Sequence, residues 1–472
     1  MSVILFRFLS RANLSTFCRN SKLSSSFFAN LQKTTYLCRM RIAIIGAGAA
    51  GCFCAVNLKR MLHDAYVEVF EANNKPLAKV AVTGGGRCNL TNTFGNVKSL
   101  QQVYPRGHKL MKRLFHQMDQ NQLMQWFEQE GVQLTVQDDQ CVFPASQDAM
   151  QIVNTLLLGM KREGVILSCN QRVIEINEEP ANNSSLLTPH SSLSEAPHSS
   201  LKYRISTECR SDIFDAVVVT TGGSPKASGL DFLAPLGLAI EPPVPSLFTF
   251  KVNDPITSLM GVVVEETVAS LAGTKFKAEG PLLITHWGMS GPAILKLSSH
   301  AARHLSEANY QAQLTINWLN GKNEDTVREE LEALLQQNPQ KQIGSAHLTT
   351  DHTLKTGATS PLTSRLWHYL LEKSGIATDR RCAEIGRKQL NRLASVLTCD
   401  VYQISGQSRF KEEFVTCGGV ALSNVDSNTL ECHHHPRLYL AGEVLDVDAV
   451  TGGFNLQAAW TMGYVIAKDL AK

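Results

Sequence analysis

The stretch RIAIIGAGAAG, residues 41–51, decides the fold, because an apolar strand passes directly into a glycine-rich turn and then into a helix. Residues 41–46 have the short, continuous hydrophobic run of a buried strand, and residues 47–61 have helical character. A second strand, YVEVFE at 66–71, follows. A strand, a helix and a strand in this order predict a β-α-β unit, the building block of parallel sheets.

The turn of this unit carries the pattern G-x-G-x-x-G. Its glycines permit a tight turn and let the N-terminus of the helix meet a pyrophosphate. Glu71 ends the second strand about 20 positions later, where its carboxylate can hydrogen-bond a ribose hydroxyl pair. With strand, helix and acidic residue in register, the segment predicts a dinucleotide site. The turn residues expected at the dinucleotide are Gly46, Gly48, Ala49, Ala50 and Gly51.

Length and composition indicate a multidomain chain with apolar cores. The chain has 472 residues, of which 43 % are hydrophobic and 18 % charged. No run reaches the roughly 18 apolar residues of a membrane-spanning helix, so we expect no membrane association. The formal charge of +3 becomes −3 without the six basic residues of 1–40. The composition therefore gives no support for bulk nucleic-acid binding.

Residues 1–40 stand apart from the rest of the chain. They are basic and serine-rich and contain no Asp or Glu, which resembles an organellar transit peptide. Met40 lies directly before the first strand, so a start at Met40 is an equally simple interpretation. We exclude 1–40 from the fold. We expect a cytoplasmic protein, or a mitochondrial or plastid one if the extension is a transit peptide.

The cysteines and histidines do not indicate a metal site. Twelve cysteines are scattered without a framework of spacings, and we interpret them as reduced thiols. Cys432 is followed by His433, His434 and His435, a cluster that a metal could use. A solvated turn between two strands explains it better, because no second ligand cluster accompanies it. We predict no metal.

The pattern of predicted helices and strands changes three times along the chain. Residues 41–235 alternate strands and helices, 236–320 hold short β runs, and 321–398 are helical. Residues 399–472 return to strands and a closing helix. The two ends therefore predict one nucleotide-binding domain that a β domain and a helical domain interrupt.

Within the first part, further elements follow from hydrophobic periodicity. Residues 107–130 and 147–164 are predicted as helices, and 172–178 with 202–207 as a hairpin. The segment between the hairpin strands is rich in Ser, Pro and His, and we interpret it as a disordered loop insertion.

Three features favour FAD over NAD as the dinucleotide. A second glycine-rich segment, with Gly222 and Gly223, follows a buried strand. The segment AGEVLDVDAVTGGFNLQAAW, 441–460, also follows a strand and opens a helix. The sequence holds one full dinucleotide fingerprint, so we expect NAD(P)H to bind transiently as electron donor, or oxygen to reoxidise the flavin.

These motifs resemble the HI0933-like (YhiN-like) family of FAD-dependent oxidoreductases. The resemblance covers nearly all of 41–472, and its most specific parts are TGGGRCN and the pair GEVLD and TGGFN. The matching pieces are IIGAGAAG (44–51), TGGGRCNLTN (83–92), VFP (142–144), LLITHWGMSGPAIL (282–295), VTCGGV (415–420) and LYLAGEVLDVDAVTGGFNLQAAW (438–460). The resemblance implies an α/β fold, a split Rossmann-like FAD-binding domain with an inserted β-barrel-like domain and a small helical domain.

The resemblance also implies roles for residues in these motifs. The ADP half of FAD would contact the first glycine turn and Glu71, and adenine would contact the backbone of Val173. The residues expected beside the flavin are Arg87, Cys88 and Asn89. Those expected at the ribityl and phosphate region are Gly442, Glu443 and Asp446. Those expected at the pyrimidine edge, where a helix dipole stabilises the reduced flavin, are Gly453, Phe454, Asn455 and Leu456.

Two positions are candidates for catalysis. Cys88 would lie beside the flavin, where packing or cofactor contact is favoured over a thiol–flavin relay, because no C-x-x-C partner is nearby. His286 is a plausible proton donor, and Trp287 could stack on a planar substrate. A purely structural turn at THWGMSGP is an equally good interpretation of His286 and Trp287.

Three functions remain open at this stage. The first is hydride transfer through flavin N5 to or from an activated C=C or C–N bond of a small molecule. The second is an rRNA dihydrouridine synthase, for which the basic stretch 106–113 and a second group could bind phosphates. The second group is Arg380, Arg381, Arg387, Lys388 and Arg392. The third is a non-catalytic flavin-binding protein.

Overall fold

The fold was examined in a computed structural model, which describes residues 39–180, 201–224, 226–348, 362–407 and 415–472. Nearly all of the N-terminal extension and the loop insertion expected in the hairpin lie outside these residues. The strands are β1 Arg41–Ile45, β2 Tyr66–Phe70, β3 Thr91–Asn92, β4 Leu134–Val136, β5 Cys141–Pro144, β6 Ile166–Ser168, β7 Val173–Glu179, β8 Lys202–Thr207, β9 Ser211–Phe214, β10 Ala216–Val219, β11 Ile240–Ser246, β12 Phe250–Val252, β13 Val263–Leu271, β14 Lys277–Thr285, β15 Gly288–Ser290, β16 Ala312–Asn317, β17 Asp400–Gln407, β18 Val415–Val420, β19 Glu431–Cys432 and β20 His435–Leu440.

The helices alternate with these strands along the chain. They are α1 Ala49–Met61, α2 Ala78–Gly86, α3 Leu100–Val103, α4 His108–Leu114, α5 Gln120–Gln129, α6 Ala149–Arg162, α7 Pro292–His300, α8 Ala302–Glu307, α9 Glu324–Gln337, α10 Ser364–Lys373, α11 Arg387–Thr398 and α12 Phe454–Leu470.

A six-stranded sheet forms the centre of the cofactor domain, in the order β19-β20-β10-β1-β2-β6. The strands from β20 to β6 are parallel, and β19 pairs antiparallel at the edge. Parallel sheets need both faces covered, and the apolar strand β1 is accordingly almost fully buried. The last strand, β20, comes from the C-terminal part of the chain, so the domain is split as the sequence predicts.

Helices α1 and α12 pack against each other on this sheet at a glycine. A Cβ atom on Gly463 would lie 2.6 Å from the carbonyl oxygen of Ala50, so a side chain there would push the helices apart. This close contact brings the two ends of the chain into one apolar core.

The inserted part has a core of its own. Strands β12-β15-β14-β13-β16-β17 form a closed barrel. Helices α9, α10 and α11 lie between β16 and β17 in the chain, and their apolar faces share the barrel's core. β17, which the sequence analysis placed with the returning strands at 399–472, instead closes the barrel by pairing with β12 and β16. The barrel therefore needs strands from both sides of the helical segment.

Other local expectations have mixed outcomes. The hairpin is confirmed as β7 and β8, with β9 as a third strand. The prediction of a single helix at 107–130 is wrong, because α4 ends at Leu114 and a separate helix, α5, begins after Asp119. Asp119 and Gln122 form a capping box that begins a new helix. Among the described residues, no helix is long and apolar enough to cross a membrane.

Candidate functional site

The first glycine turn lies at the carboxyl end of β1, against β10. Gly46 has φ +107°, and a Cβ there would lie 2.6 Å from the carbonyl oxygen of Thr220. A Cβ on Gly51 would lie 2.1 Å from the carbonyl oxygen of Gly46. Both positions therefore require glycine, because a side chain would collide with backbone. The turn packs as a Rossmann-type phosphate loop does.

The N-terminus of α1 is open to a ligand. Gly48 is its N-cap residue, and among the described residues no side chain caps the helix there and no acidic residue lies in its first turn. Ala49 and Ala50 follow with small side chains. The amide groups of the first turn and the positive end of the helix dipole thus remain available to a pyrophosphate.

Glu71 is oriented by hydrogen bonds from the same region. Its Oε2 accepts from the backbone N–H of Ala47 at 3.0 Å, and its Oε1 accepts from the N–H of Asn73 at 2.9 Å. The backbone carbonyl of Glu71 accepts from Gln171 at 2.8 Å, two residues before Val173 at the start of β7. The acidic residue and the strand expected at adenine are therefore neighbours at one edge of the sheet.

The segment TGGGRCN forms a tight loop at the end of α2. Gly84, Gly85 and Gly86 have φ values of +60°, +70° and +82°, where side chains are disfavoured. A Cβ on Gly85 or Gly86 would meet no described atom within 4 Å, so these two glycines are not required by packing inside the chain. An exposed backbone with three left-handed residues is suited to close approach by a planar ligand.

Arg87 and Cys88 follow with opposite environments. Arg87 is exposed, donates from Nε to the carbonyl oxygen of Gly84 at 3.1 Å, and lies over the ring of Phe143 at 4.6 Å. Cys88 is fully buried, and burial raises the pKa of its thiol to about 12. The thiol stays protonated at neutral pH, which favours the packing interpretation of Cys88 over a thiol–flavin relay.

Asn89 joins this loop to the C-terminal helix. In the orientation that satisfies its neighbours, its amide nitrogen donates to the carbonyl of Thr91 at 3.0 Å and its oxygen accepts from the N–H of Gly453 at 3.2 Å. Gly453, with φ +86°, is the N-cap residue of α12, which no described side chain caps. TGGGRCN and TGGFN, far apart in the chain, therefore form one surface at an open helix N-terminus.

The first turn of α12 is fixed from several sides. Asn455 exchanges two hydrogen bonds with the backbone of Ala449, at 2.8 and 2.9 Å. The carbonyl oxygen of Phe454 accepts from the hydroxyl of Tyr104 at 2.8 Å. Leu456 packs on the apolar core of the cofactor domain. The helix end is held rigidly although its N–H groups lack a cap.

The remaining predicted cofactor residues lie where β10 and β20 end. A Cβ on Gly223 would lie 2.6 Å from Oε1 of Glu443, whereas one on Gly222 would lie 4.0 Å from Oε2 of the same residue. Oε1 of Glu443 accepts from the N–H of Thr416 at 2.7 Å. Gly442, with φ +79°, turns the chain directly before Glu443. This carboxylate therefore joins the loop after β20 to the backbone of β18.

Asp446 also binds protein groups. Its Oδ1 accepts from the N–H of Gly418 at 3.0 Å and from Arg303 at 3.2 Å. It therefore joins the VTCGGV strand and helix α8 to the cofactor loop.

His286 and Trp287 form the two-residue turn between β14 and β15. Their rings meet edge to face at 4.1 Å, and the carbonyl of Trp287 accepts from Val252 at 3.0 Å. His286 is exposed. The turn is thus joined to β12 of the barrel, and the histidine ring lies at the surface.

The histidine cluster after Cys432 is a turn between β19 and β20. His435 bonds to Glu178 at 2.6 Å and to the carbonyl of Leu236 at 2.9 Å. Among the described residues, no group of three His, Cys, Asp or Glu side chains is arranged to hold a metal ion.

A buried ion pair, not predicted from the sequence, lies beside the site. Arg106 forms two hydrogen bonds to the carboxylate of Asp448, whose side chain is 1 % exposed. Arg106 was grouped with phosphate-binding candidates because its neighbours in the chain are basic. Asp448 lies between the apolar residues Val447 and Ala449, and this was the available signal that a cation had to lie nearby.

Taken together, the site has two open helix N-termini, the Glu71 carboxylate at the end of β2 and glycine-rich loops. These features fit FAD, whose pyrophosphate would lie at α1 and whose isoalloxazine ring would lie between the TGGGRCN loop and α12. The fold and the site define the class of FAD-dependent oxidoreductases with a split Rossmann-type domain.

Comparison with known proteins assigns the family. The chain belongs to the HI0933-like family, whose description is "HI0933-like protein Rossmann domain" and which matches residues 40–469. It is 27 % identical to a 3-dehydro-bile acid delta(4,6)-reductase of Clostridium scindens, over 92 % of this chain and 99 % of that protein. It is 27 % identical to a ribosomal RNA dihydrouridine synthase of Escherichia coli, over 92 % and 98 %. A solved 3-ketosteroid delta1-dehydrogenase of Sterolibacterium denitrificans is 11 % identical, with a TM-score of 0.45 over 91 % of this chain and 99 % of that one.

Proposed function

We propose that this flavoenzyme reduces a carbon–carbon double bond conjugated to a carbonyl group in a small organic molecule. The two curated relatives support this proposal through their names, a delta(4,6)-reductase and a dihydrouridine synthase. Dihydrouridine is uridine with its C5=C6 bond reduced, and that bond is conjugated to a carbonyl, as is a 4,6-diene beside a 3-oxo group. The shared chemistry is hydride addition to an electron-poor alkene.

The observation that carries the proposal is the joint surface of TGGGRCN and TGGFN. Bound FAD supplies hydride transfer through N5. The chain supplies an uncapped helix N-terminus at Phe454, whose dipole stabilises negative charge at the pyrimidine edge of a reduced flavin. Asn89 fixes the distance between the two loops. This arrangement favours holding electrons on the flavin until an acceptor arrives.

Reduction of an alkene also requires a proton. We propose His286 as its donor, because the ring is exposed on an ordered turn of the barrel, and Trp287 as a stacking surface for a planar substrate. Arg87 adds a fixed positive charge beside the glycine loop, where it can polarise the substrate carbonyl. NAD(P)H is the proposed electron donor.

An RNA substrate is the second candidate, favoured by exposed cations on the helical segment. Arg381, Arg387, Lys388 and Arg392 are exposed around the start of α11. The stretch 106–113 contributes less than the sequence suggested, because Arg106 is paired with Asp448. If RNA is bound, affinity should fall steeply with salt, and the double variant Arg387→Gln/Lys388→Gln should weaken binding and reduce the salt slope by about two.

The test is an anaerobic two-step assay on the full-length protein. We expect NADH or NADPH to bleach the flavin spectrum. The reduced enzyme is then mixed with a 3-oxo bile acid carrying 4,6 double bonds, with cyclohexenone, or with uracil-containing rRNA. Reoxidation of the flavin and a product that has gained two hydrogens would support alkene reduction, and the accepted substrate would choose between the candidates. Flavin that stays reduced with all three acceptors and is reoxidised only when oxygen is admitted would overturn the proposal in favour of an oxidase.

The proton donor is tested separately. His286→Gln should lower the rate of flavin reoxidation by the alkene about a hundredfold and leave reduction by NAD(P)H unchanged. His304→Gln, another histidine of the inserted part, serves as the control. Equal rates in both variants would exclude His286 as the donor.

A further inference from the structure

The loop from Asp446 to Gly453 leads from β20 to the open end of α12. Its backbone is anchored at both ends, since the backbone N–H of Asp446 donates to the carbonyl of Val420 at 2.9 Å and the side-chain amide of Asn92 donates to the carbonyl of Gly452 at 3.2 Å. The second of these hydrogen bonds lies directly before the start of α12, so the loop and the helix end are held together.

The middle of the loop lies against residues 103–107. The N–H of Val450 donates to the carbonyl of Val103 at 2.9 Å, and Arg106 pairs with Asp448 as an isolated antiparallel bridge. A Cβ on Gly107 would lie 2.6 Å from the side chain of Val447. The two segments therefore touch along their length, with no room for an additional side chain.

Arg106 connects this contact to the inserted barrel part. Its guanidinium binds Asp448 and donates to the carbonyl of Ser299, in α7, at 2.8 Å. Asp448 also accepts from the hydroxyl of Ser246, at the end of β11, at 2.9 Å. One ion pair, with side chains 15 % and 1 % exposed, thus joins four separate parts of the chain.

Tyr104 acts on the helix itself from the same segment. It is fully buried, and its hydroxyl donates to the carbonyl of Phe454, the first residue of α12. Tyr104 and Arg106 hold the helix end and the loop before it at two points, from one short stretch of chain.

We propose that Tyr104 and Arg106 are positioning residues for the flavin, which set the location of the α12 N-terminus through Phe454 and Asp448. Neither residue needs to touch the cofactor. The inference rests on the placement of the flavin at α12 in the proposed function. It adds that the segment 103–107 controls how tightly the flavin is held and how easily it is reduced.

The experiment compares variants of the full-length protein by FAD affinity and by the reduction potential of the bound flavin, both measured without substrate. Arg106→Met should raise the Kd for FAD at least about tenfold and make the potential more negative, because a displaced helix dipole no longer stabilises the reduced flavin. Tyr104→Phe removes one hydrogen bond without changing charge and should shift both quantities in the same direction by about fivefold or less in Kd.

Lys373→Met is the matched control. Lys373 pairs at 2.6 Å with Asp400, whose side chain is also 1 % exposed, but this pair lies between the barrel and α10. Lys373→Met should lower the melting temperature as Arg106→Met does, and it should leave the FAD affinity and the flavin reduction potential unchanged. If Lys373→Met shifts the flavin properties equally, loss of stability explains the effects and the proposal is wrong.

Two further variants separate position from charge. Arg106→Lys keeps the charge but cannot bind Asp448 and Ser299 together, so only partial rescue is expected. The double variant Arg106→Met/Asp448→Asn removes the unpaired carboxylate. If it restores the wild-type potential, the effect is electrostatic and positioning is excluded; a potential that stays shifted, together with the Tyr104→Phe result, supports positioning. Because no substrate is used, failure of the alkene-reduction proposal would leave these results intact.

Discussion

Replacement of Gly453 by alanine tests the site at the point where its two loops meet. Gly453 has φ +86°, and an added Cβ would lie 2.4 Å from the carbonyl oxygen of Thr91 and 2.7 Å from the side-chain amide group of Asn89. Because the nearest atoms belong to backbone, a rotamer change cannot relieve the collision. Either α12 or the strand that carries Thr91 must move.

The expected magnitude has two parts. A left-handed conformation costs an L-residue roughly 1–2 kcal/mol. A methyl group forced into a packed contact costs roughly 1–3 kcal/mol more. The total cost to the cofactor-binding conformation is therefore about 2–5 kcal/mol. If α12 moves away to relieve the second part, the Kd for FAD rises by about tenfold to a hundredfold.

Gly131→Ala separates these two parts. Gly131 has nearly the same φ, +85°, and no described atom lies within 4 Å of its added Cβ. It should show the backbone cost alone. The assay is FAD titration of apoprotein, followed by flavin fluorescence, with a melting curve for each variant at saturating FAD.

Gly453→Ala should bind FAD more weakly than Gly131→Ala even where the two melt at similar temperatures. Equal and wild-type FAD affinity in both variants would refute the reasoning, because the surface between Asn89 and Gly453 would then not be the flavin site. A loss of affinity in Gly131→Ala as large as in Gly453→Ala would show that general destabilisation is responsible.

Three other outcomes follow from the site. Glu71→Gln keeps the shape of the side chain but removes the charge of the carboxylate whose Oε2 accepts from the N–H of Ala47. The Kd for FAD should therefore rise about tenfold in an apoprotein titration. An unchanged Kd would show that Glu71 does not bind the ribose. The raised pKa of Cys88 in the folded state, about 12, means that the neutral thiol contributes stability below about pH 9 that is lost as the pH rises towards 12. The fall in urea midpoint over that range should be shallower in Cys88→Ala, and equal slopes would contradict a buried thiol. Gly463→Ala should lower the melting temperature of apoprotein and holoprotein alike, because its Cβ would lie 2.6 Å from the carbonyl of Ala50; an unaffected melting temperature would show that α1 and α12 can separate.

Much of the cofactor site follows from local sequence patterns. The glycines of the first turn, the following helix and Glu71 are close in the chain, and their chemistry is set by neighbours that the pattern includes. The capping box of Asp119 and Gln122 was equally readable and marks where the predicted helix at 107–130 breaks. The hydrophobic periodicity of residues 107–130 continues across the break between the two helices, and for that reason the sequence predicted one continuous helix.

The rest depends on contacts between distant segments. Arg106 and Asp448 are 342 positions apart in the chain. Because the neighbours of Arg106 are basic, the sequence predicted a surface residue at this position. β17 alternates like any half-buried strand, and its partners β12 and β16 lie on the other side of the helical segment. Periodicity reports which face of a strand is buried but does not identify the strand beside it.

The position of β20 beside β10 also has a consequence for biosynthesis. Val217 of β10 pairs with Leu438 of β20, so one edge of the central sheet stays unpaired until most of the chain has left the ribosome. The barrel and helical segments, with a core of their own, can fold during this interval. An unpaired apolar edge strand invites association with other chains. The order of synthesis therefore makes completion of the candidate cofactor site a late event, and a ribosome stalled before residue 435 would carry a nascent chain that lacks β20 and α12.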